Sequence, residues 1–231
     1  MDINIGSKES KLLGGTVGVF KEYVGNNSLH ITNCINTSRK IILEMLELRG
    51  YDISSIPSNL ITIDTKYEEL TIKVEKETEV THIYYPILDK KTNHKQISKK
   101  TEEVMKQIEE TKKDLNIIFI VLDSVTRSVK DIIKLLNIKY NIYIQVFPIK
   151  QLMYNITKHR IVPEHIRIKN LPNKTDFLQS LHINSLDKLP KILDTDPVAM
   201  FIGLKPGEIC KIIRPSQSSG VHNVYRYCIS E

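Results

Sequence analysis

The chain has 231 residues, 41% of them hydrophobic and 26% charged, with a formal net charge of +6. That length suits one large or two small domains, and the composition is the ordinary one of a globular protein. The longest apolar run, residues 117–122, is far too short to span a bilayer, so no membrane partner is expected.

Met1-Asp2-Ile3-Asn4 shows no basic stretch followed by an apolar one, so no signal peptide is expected. The three cysteines, Cys34, Cys210 and Cys228, have no C-x-x-C spacing. They predict buried, inert thiols in a reducing compartment, without a zinc site or disulfide framework. The positive charge is uneven: from residue 148 onward there are 12 Lys+Arg against 7 Asp+Glu. This excess permits contact with a polyanion without requiring it.

Residues 1–35 are weakly periodic and read as an extension, with a short strand near residues 16–20. Thr37 or Ser38 is expected to cap a helix whose apolar face is Ile41, Ile42, Met45 and Leu46, with Gly50 as its stop. Strands are predicted over residues 70–74 and 82–85, the second ended by Pro86. After a polar loop, Ser98 or Thr101 opens a helix to about Leu115, with Val104, Met105, Ile108 and Leu115 inward. The apolar run 117–122 reads as a strand covered on both faces. Asp123 and Ser124 then cap a helix through Leu136, and residues 142–147 form another strand. Helix, strand, helix, strand in this order predicts an α/β layer.

Pro148 is the expected start of a second unit, opening on a short helix over 149–155. A helix follows near residues 175–182, and residues 189–193 read as an approach loop. Asp196 caps a helix with Pro197 at its first position, where the missing N–H costs nothing, and Gly203 ends it. Pro206-Gly207 is a turn before two strands, 208–214 and 222–229.

The last third carries a specific resemblance. The run 155–165, with His159, Pro163 and His165, is followed by Leu189-Pro190-Lys191-Ile192 and by Asp196-Pro197-Val198-Ala199. Gly203, Gly207, Lys211 to Ser216, Gly220, Tyr225 and Arg226 complete the pattern. This set resembles the assembly domain of the fifth subunit shared by eukaryotic DNA-directed RNA polymerases, a domain similar also to a small polymerase subunit of archaea. The earlier part resembles that eukaryotic protein's jaw domain more loosely, through residues 38–51 and through residues 117–122 with Thr126, Arg127, Ser128 and Val129. Thr126 and Ser128 match the family's Thr-Pro-Ser-Ala turn, while Arg127 and Val129 depart from it. Residues 1–35 have no counterpart, and Gly220-Val221 replaces a family Gly-Arg.

The resemblance implies an extension over 1–35, a jaw domain over 36–147 and an assembly domain over 148–231. The jaw would be a three-layer α/β domain resembling the restriction-endonuclease fold, and the assembly domain a small two-layer α/β one, α+β overall. It implies a non-catalytic polymerase subunit, acting in transcription without a cofactor or metal of its own. His159, Pro163, His165, Pro190, Asp196, Pro197, Val198, Gly203, Gly207, Lys211, Arg214, Gly220, Tyr225 and Arg226 would serve assembly on the largest subunit, alongside other subunits. Thr126, Arg127 and Ser128 would lie near downstream duplex DNA, read without regard to sequence.

Several readings stay open at this level. Each glycine serves the fold or a docking face; Arg214 and Arg226 meet a partner's acids or water; the helix start near Asp123 caps itself or holds a phosphate. Lys211 and Arg214, three apart, point to opposite strand faces. The alternatives are a free-standing DNA-binding adaptor and a metal-dependent nuclease, for which Asp64, Asp89 and Lys91 are the nearest acid-and-lysine match. The Lys, Ile and Asn bias suits a cellular, nuclear enzyme from an AT-rich genome. It equally suits a large DNA virus, with the complex in virions or cytoplasmic factories.

Overall fold

Two sheets with separate cores organise the chain. The computed structural model describes residues 28–56, 70–85, 94–108, 114–121, 125–169, 171, 173–216 and 220–230. The strand expected at 16–20, Pro86, the Asp123 and Ser124 cap, and Asp64, Asp89 and Lys91 lie outside these residues. The chain divides into two units, residues 1–154 and 155–231.

The first unit holds α1 (Ser28–Leu48), β1 (Ile72–Glu75), β2 (Glu79–Tyr84), α2 (His94–Ile108), β3 (Asp114–Val121), α3 (Arg127–Tyr140) and β4 (Tyr143–Pro148). Its sheet runs β1-β2-β3-β4, antiparallel at the first pair and parallel at the other two. Leu115, Ile117, Phe119 and Val121 alternate along β3 onto one face. There they pack with Ile97 and Val104 of α2 and Val129, Ile133 and Leu136 of α3. Burying a side chain such as Phe119 contributes about 2–3 kcal/mol. The opposite face receives α1. Ser38 bonds the Tyr85 hydroxyl at 3.1 Å, and just beyond the helix Arg49 donates to Gln145 of β4 at 2.8 Å. All six residues of β2 are buried, as expected of an interior strand covered on both faces.

Several local expectations are corrected. α1 begins at Ser28, so Ser38 is interior; its hydroxyl donates to the Ile35 carbonyl at 2.8 Å instead of capping. The helix does stop at Gly50 (φ 76°), where Gly50 N–H bonds Glu47 and Tyr51 N–H bonds Leu46 in a Schellman closure. α2 starts at His94, and Thr101 is interior, bonding back to the Ile97 carbonyl. Leu115 belongs to β3, not to the helix before it. α3 starts at Arg127 and runs on to Tyr140, ended by Asn141 in the left-handed region (φ 50°). Pro148 closes β4, and the turn Ile149–Leu152 buries Ile149 and Leu152 in the first unit. The division therefore falls after Tyr154, not at Pro148.

The second unit holds β5 (Glu164–Ile168), α4 (Lys174–Ser180), β6 (Lys191–Leu193), α5 (Pro197–Ile202), β7 (Ile209–Ser216) and β8 (Gly220–Ile229). Its sheet runs β5-β7-β8-β6. Residues 191–193, expected as loop, form a strand parallel to β8. Ala199 and Ile202 of α5 cover Cys210, Ile212, Cys228 and Ile192. Burial pushes the Cys210 thiol up to about 11 and Cys228 up to about 12, so both stay neutral. Cys34, also expected buried, is only partly so. No described helix is long and apolar enough to cross a membrane.

Candidate functional site

Thr126, Arg127 and Ser128 come together at the exposed start of α3. Thr126 stands at the cap position in extended backbone (φ −75°, ψ 159°), with no side-chain capping bond. Its carbonyl receives the N–H groups of Val129 and Lys130, each at 3.1 Å. The N–H groups of Arg127 and Ser128 precede these and have no acceptor within the helix. Two helix-end N–H groups, two hydroxyls and one guanidinium on an exposed surface suit a phosphate, and none of them reads a base. Val129, in contrast, is buried, and it anchors the helix start onto the sheet.

In the second unit many of the singled-out residues build the frame. The Asp196 carboxylate accepts from Val198 N–H at 2.9 Å and Ala199 N–H at 3.1 Å, with Pro197 at the first helical position. Gly203 (φ 70°) ends α5 with its N–H on Met200 while Leu204 N–H reaches Ala199, a second Schellman closure. Gly207 (φ 89°) donates to the Cys228 carbonyl at 2.9 Å, and Pro190 accepts from Tyr227 N–H at 2.9 Å. Gly220 (φ 70°) sits at the hairpin end opposite Ser216. His165 Nδ1 donates to the Pro163 carbonyl at 2.7 Å. His159 is exposed, and its Nδ1 accepts from Ile161 N–H at 3.3 Å.

The remaining four lie on the β7–β8 hairpin. Arg214 is exposed and stands opposite His222; Arg226 stands opposite Cys210; Lys211 stands opposite Tyr225. Alternation puts Arg214 and Arg226 on the sheet face that carries α5 and Lys211 on the other. Tyr225 meets Phe177 of α4 edge-to-face at 5.0 Å. Arg226 Nε is buried without a hydrogen-bond partner. Three relevant residues carried no signal in the sequence. Arg167 and Glu208 form a two-bond ion pair, and His222 adds a third basic group beside Arg214 and Arg226. Among the described residues, no three His, Cys, Asp or Glu side chains gather as metal ligands.

The second unit's pattern has a counterpart among known proteins. Residues 154–228 match the family model of the RNA polymerase Rpb5 C-terminal domain. Over that stretch the chain is similar to an Rpb5 C-terminal domain. Its likeness to Rpb5 also extends well beyond that domain. The chain is 28% identical over 195 residues to the Dictyostelium discoideum DNA-directed RNA polymerases I, II, and III subunit, covering 83% of this chain and 95% of the relative. The Caenorhabditis elegans subunit of the same name is 28% identical over 207 residues, covering 83% and 93%. That of Caenorhabditis briggsae is 36% identical over 112 residues, covering 48% and 51%.

Proposed function

We propose that the chain is a non-catalytic subunit of a multisubunit DNA-directed RNA polymerase. The observation that carries this reading is the span of the likeness, which takes in 83% of the chain and 95% of the Dictyostelium subunit. The second unit, residues 155–231, is the assembly domain. It anchors the chain to the largest subunit through the hairpin that bears Lys211, Arg214, Tyr225 and Arg226. Asp196, Pro197, Gly203 and Gly207 hold that hairpin in shape.

The first unit is the jaw. It supports downstream duplex DNA at Thr126, Arg127 and Ser128, through phosphates and independently of sequence. A polymerase that must hold any DNA needs contacts of this kind. Nucleotide addition belongs to other subunits, and this chain's contribution is to position DNA. As a counterpart of subunits shared by polymerases I, II and III, it works in the nucleus.

A photo-crosslinking residue at Arg127 in the assembled polymerase tests the jaw assignment. Adducts to duplex DNA ahead of the active centre are expected, at similar yield on unrelated sequences. Absence of DNA adducts, or adducts on one sequence alone, would contradict it.

A further inference from the structure

β8 runs over Gly220–Ile229, whereas β6, its neighbour on the outer side, pairs only with Tyr227, Cys228 and Ile229. From residue 220 to 226 the strand has β7 on one side and, among the described residues, no strand on the other. The direction of its backbone groups follows from the bonds at its far end. Tyr227 N–H donates outward to Pro190, and Ile229 accepts outward from Asp194 N–H, each at 2.9 Å. Cys228 N–H donates to Glu208, on the β7 side, at 2.9 Å. Backbone groups alternate along an antiparallel strand, so Asn223 and Tyr225 direct their N–H and C=O groups to the open side.

The two faces beside this edge differ in chemistry. Arg214, His222 and Arg226 fall on the α5 face. Val221, Asn223 and Tyr225 of β8 fall on the other, with Lys211 and Ile213 of β7 behind them, and Val221 is 61% exposed. Proteins blunt a bare edge with lysine, proline or a bulge. Residues 221–226 contain neither lysine nor proline, and their register with β7 is continuous.

We propose that this edge accepts an extended segment of a partner chain as an added strand, with acidic and apolar residues alternating along it. The acidic positions lie beside His222 and Arg226 of β8, with Arg214 of β7 one strand further in, and the apolar positions lie beside Val221 and Tyr225. Backbone bonds to Asn223 and Tyr225 supply affinity, and the two faces supply register. The inference rests on the polymerase-subunit reading for the partner's identity, a large polymerase subunit.

The test uses the tagged full chain expressed in its native source, with the large polymerase subunits retained at moderate salt quantified. Asn223→Pro removes one outward N–H and leaves the bonds to β7 in place. A second variant, Arg214→Glu with His222→Asp, reverses charge at two exposed positions. Both variants are expected to lower retention on the order of tenfold, with the thermal midpoint of the charge variant unchanged. If Asn223→Pro loses stability, the charge variant decides. Retention at the wild-type level in the deciding variant overturns the added strand and leaves the subunit reading standing. Recovery of no large subunit by the wild-type chain overturns both.

Discussion

Arg167 and Glu208 are joined by two parallel hydrogen bonds, Nε to Oε2 at 2.6 Å and Nη2 to Oε1 at 2.7 Å. Both side chains are well shielded, at 13% and 15% exposure, and Glu208 Oε2 also accepts the Lys205 N–H at 2.8 Å. The pair therefore ties edge strand β5 to the turn that opens β7. Removing one partner takes both bonds from the other's charge in a poorly solvated place. Glu208→Ala is expected to cost about 2–4 kcal/mol in urea unfolding. A double-mutant cycle with Arg167→Ala should return a coupling of about 1–3 kcal/mol. Additive losses would mean that the two bonds do not hold this corner.

His82 gives the first unit a pH dependence. It is buried, bonded through Nδ1 to the Tyr84 hydroxyl at 3.0 Å, and its Nε2 has no partner. Burial, helped by Lys73, lowers its pKa from the ordinary 6.5 to about 4. The folded state thus keeps the ring neutral where the unfolded state would protonate it. Its contribution is intact above about pH 6.5 and lost as pH falls toward 4, a change of about 3 kcal/mol. His82→Gln should flatten stability against pH in that window, measured by urea midpoints at stepped pH.

The α5 clip predicts two separable losses. Asp196→Ala frees two N–H groups and should cost about 1–2 kcal/mol. Gly203→Ala forces a side chain into the left-handed region and should cost on the order of 1–2 kcal/mol. Thermal unfolding of the full chain checks both, and each should leave the first unit's unfolding unchanged.

These elements differ in how far the sequence announces them. α5 is legible because its start and stop are local: a carboxylate before a proline, then a glycine at the left-handed position. α1 is not, because Ser38 looks like a cap and instead bonds back to Ile35 within a longer helix. Leu115 continues the spacing of Val104 and Ile108, so periodicity assigns it to a helix that ends before it. β6 is three residues long and follows a proline, too short to show a period of two. The Arg167–Glu208 pair joins positions far apart in sequence, and no local pattern encodes it. The candidate helix-start site was legible in its residues, while its register became clear only from the cap at Thr126.

Arg127 is exposed at the start of α3, and Arg127→Glu should leave stability within about 0.5 kcal/mol of wild type. In the assembled polymerase the same change places a negative charge beside phosphates. The enzyme's hold on downstream DNA should weaken to a similar degree on unrelated sequences, with a shallower salt dependence. Elongation-complex lifetimes across a salt series measure this.

Membership in a polymerase is decided by co-purification. The tagged chain, recovered from its native source at moderate salt, is predicted to bring down the two large polymerase subunits in near-equal amounts by mass spectrometry. Recovery of the chain alone, or with partners unrelated to transcription, would contradict it.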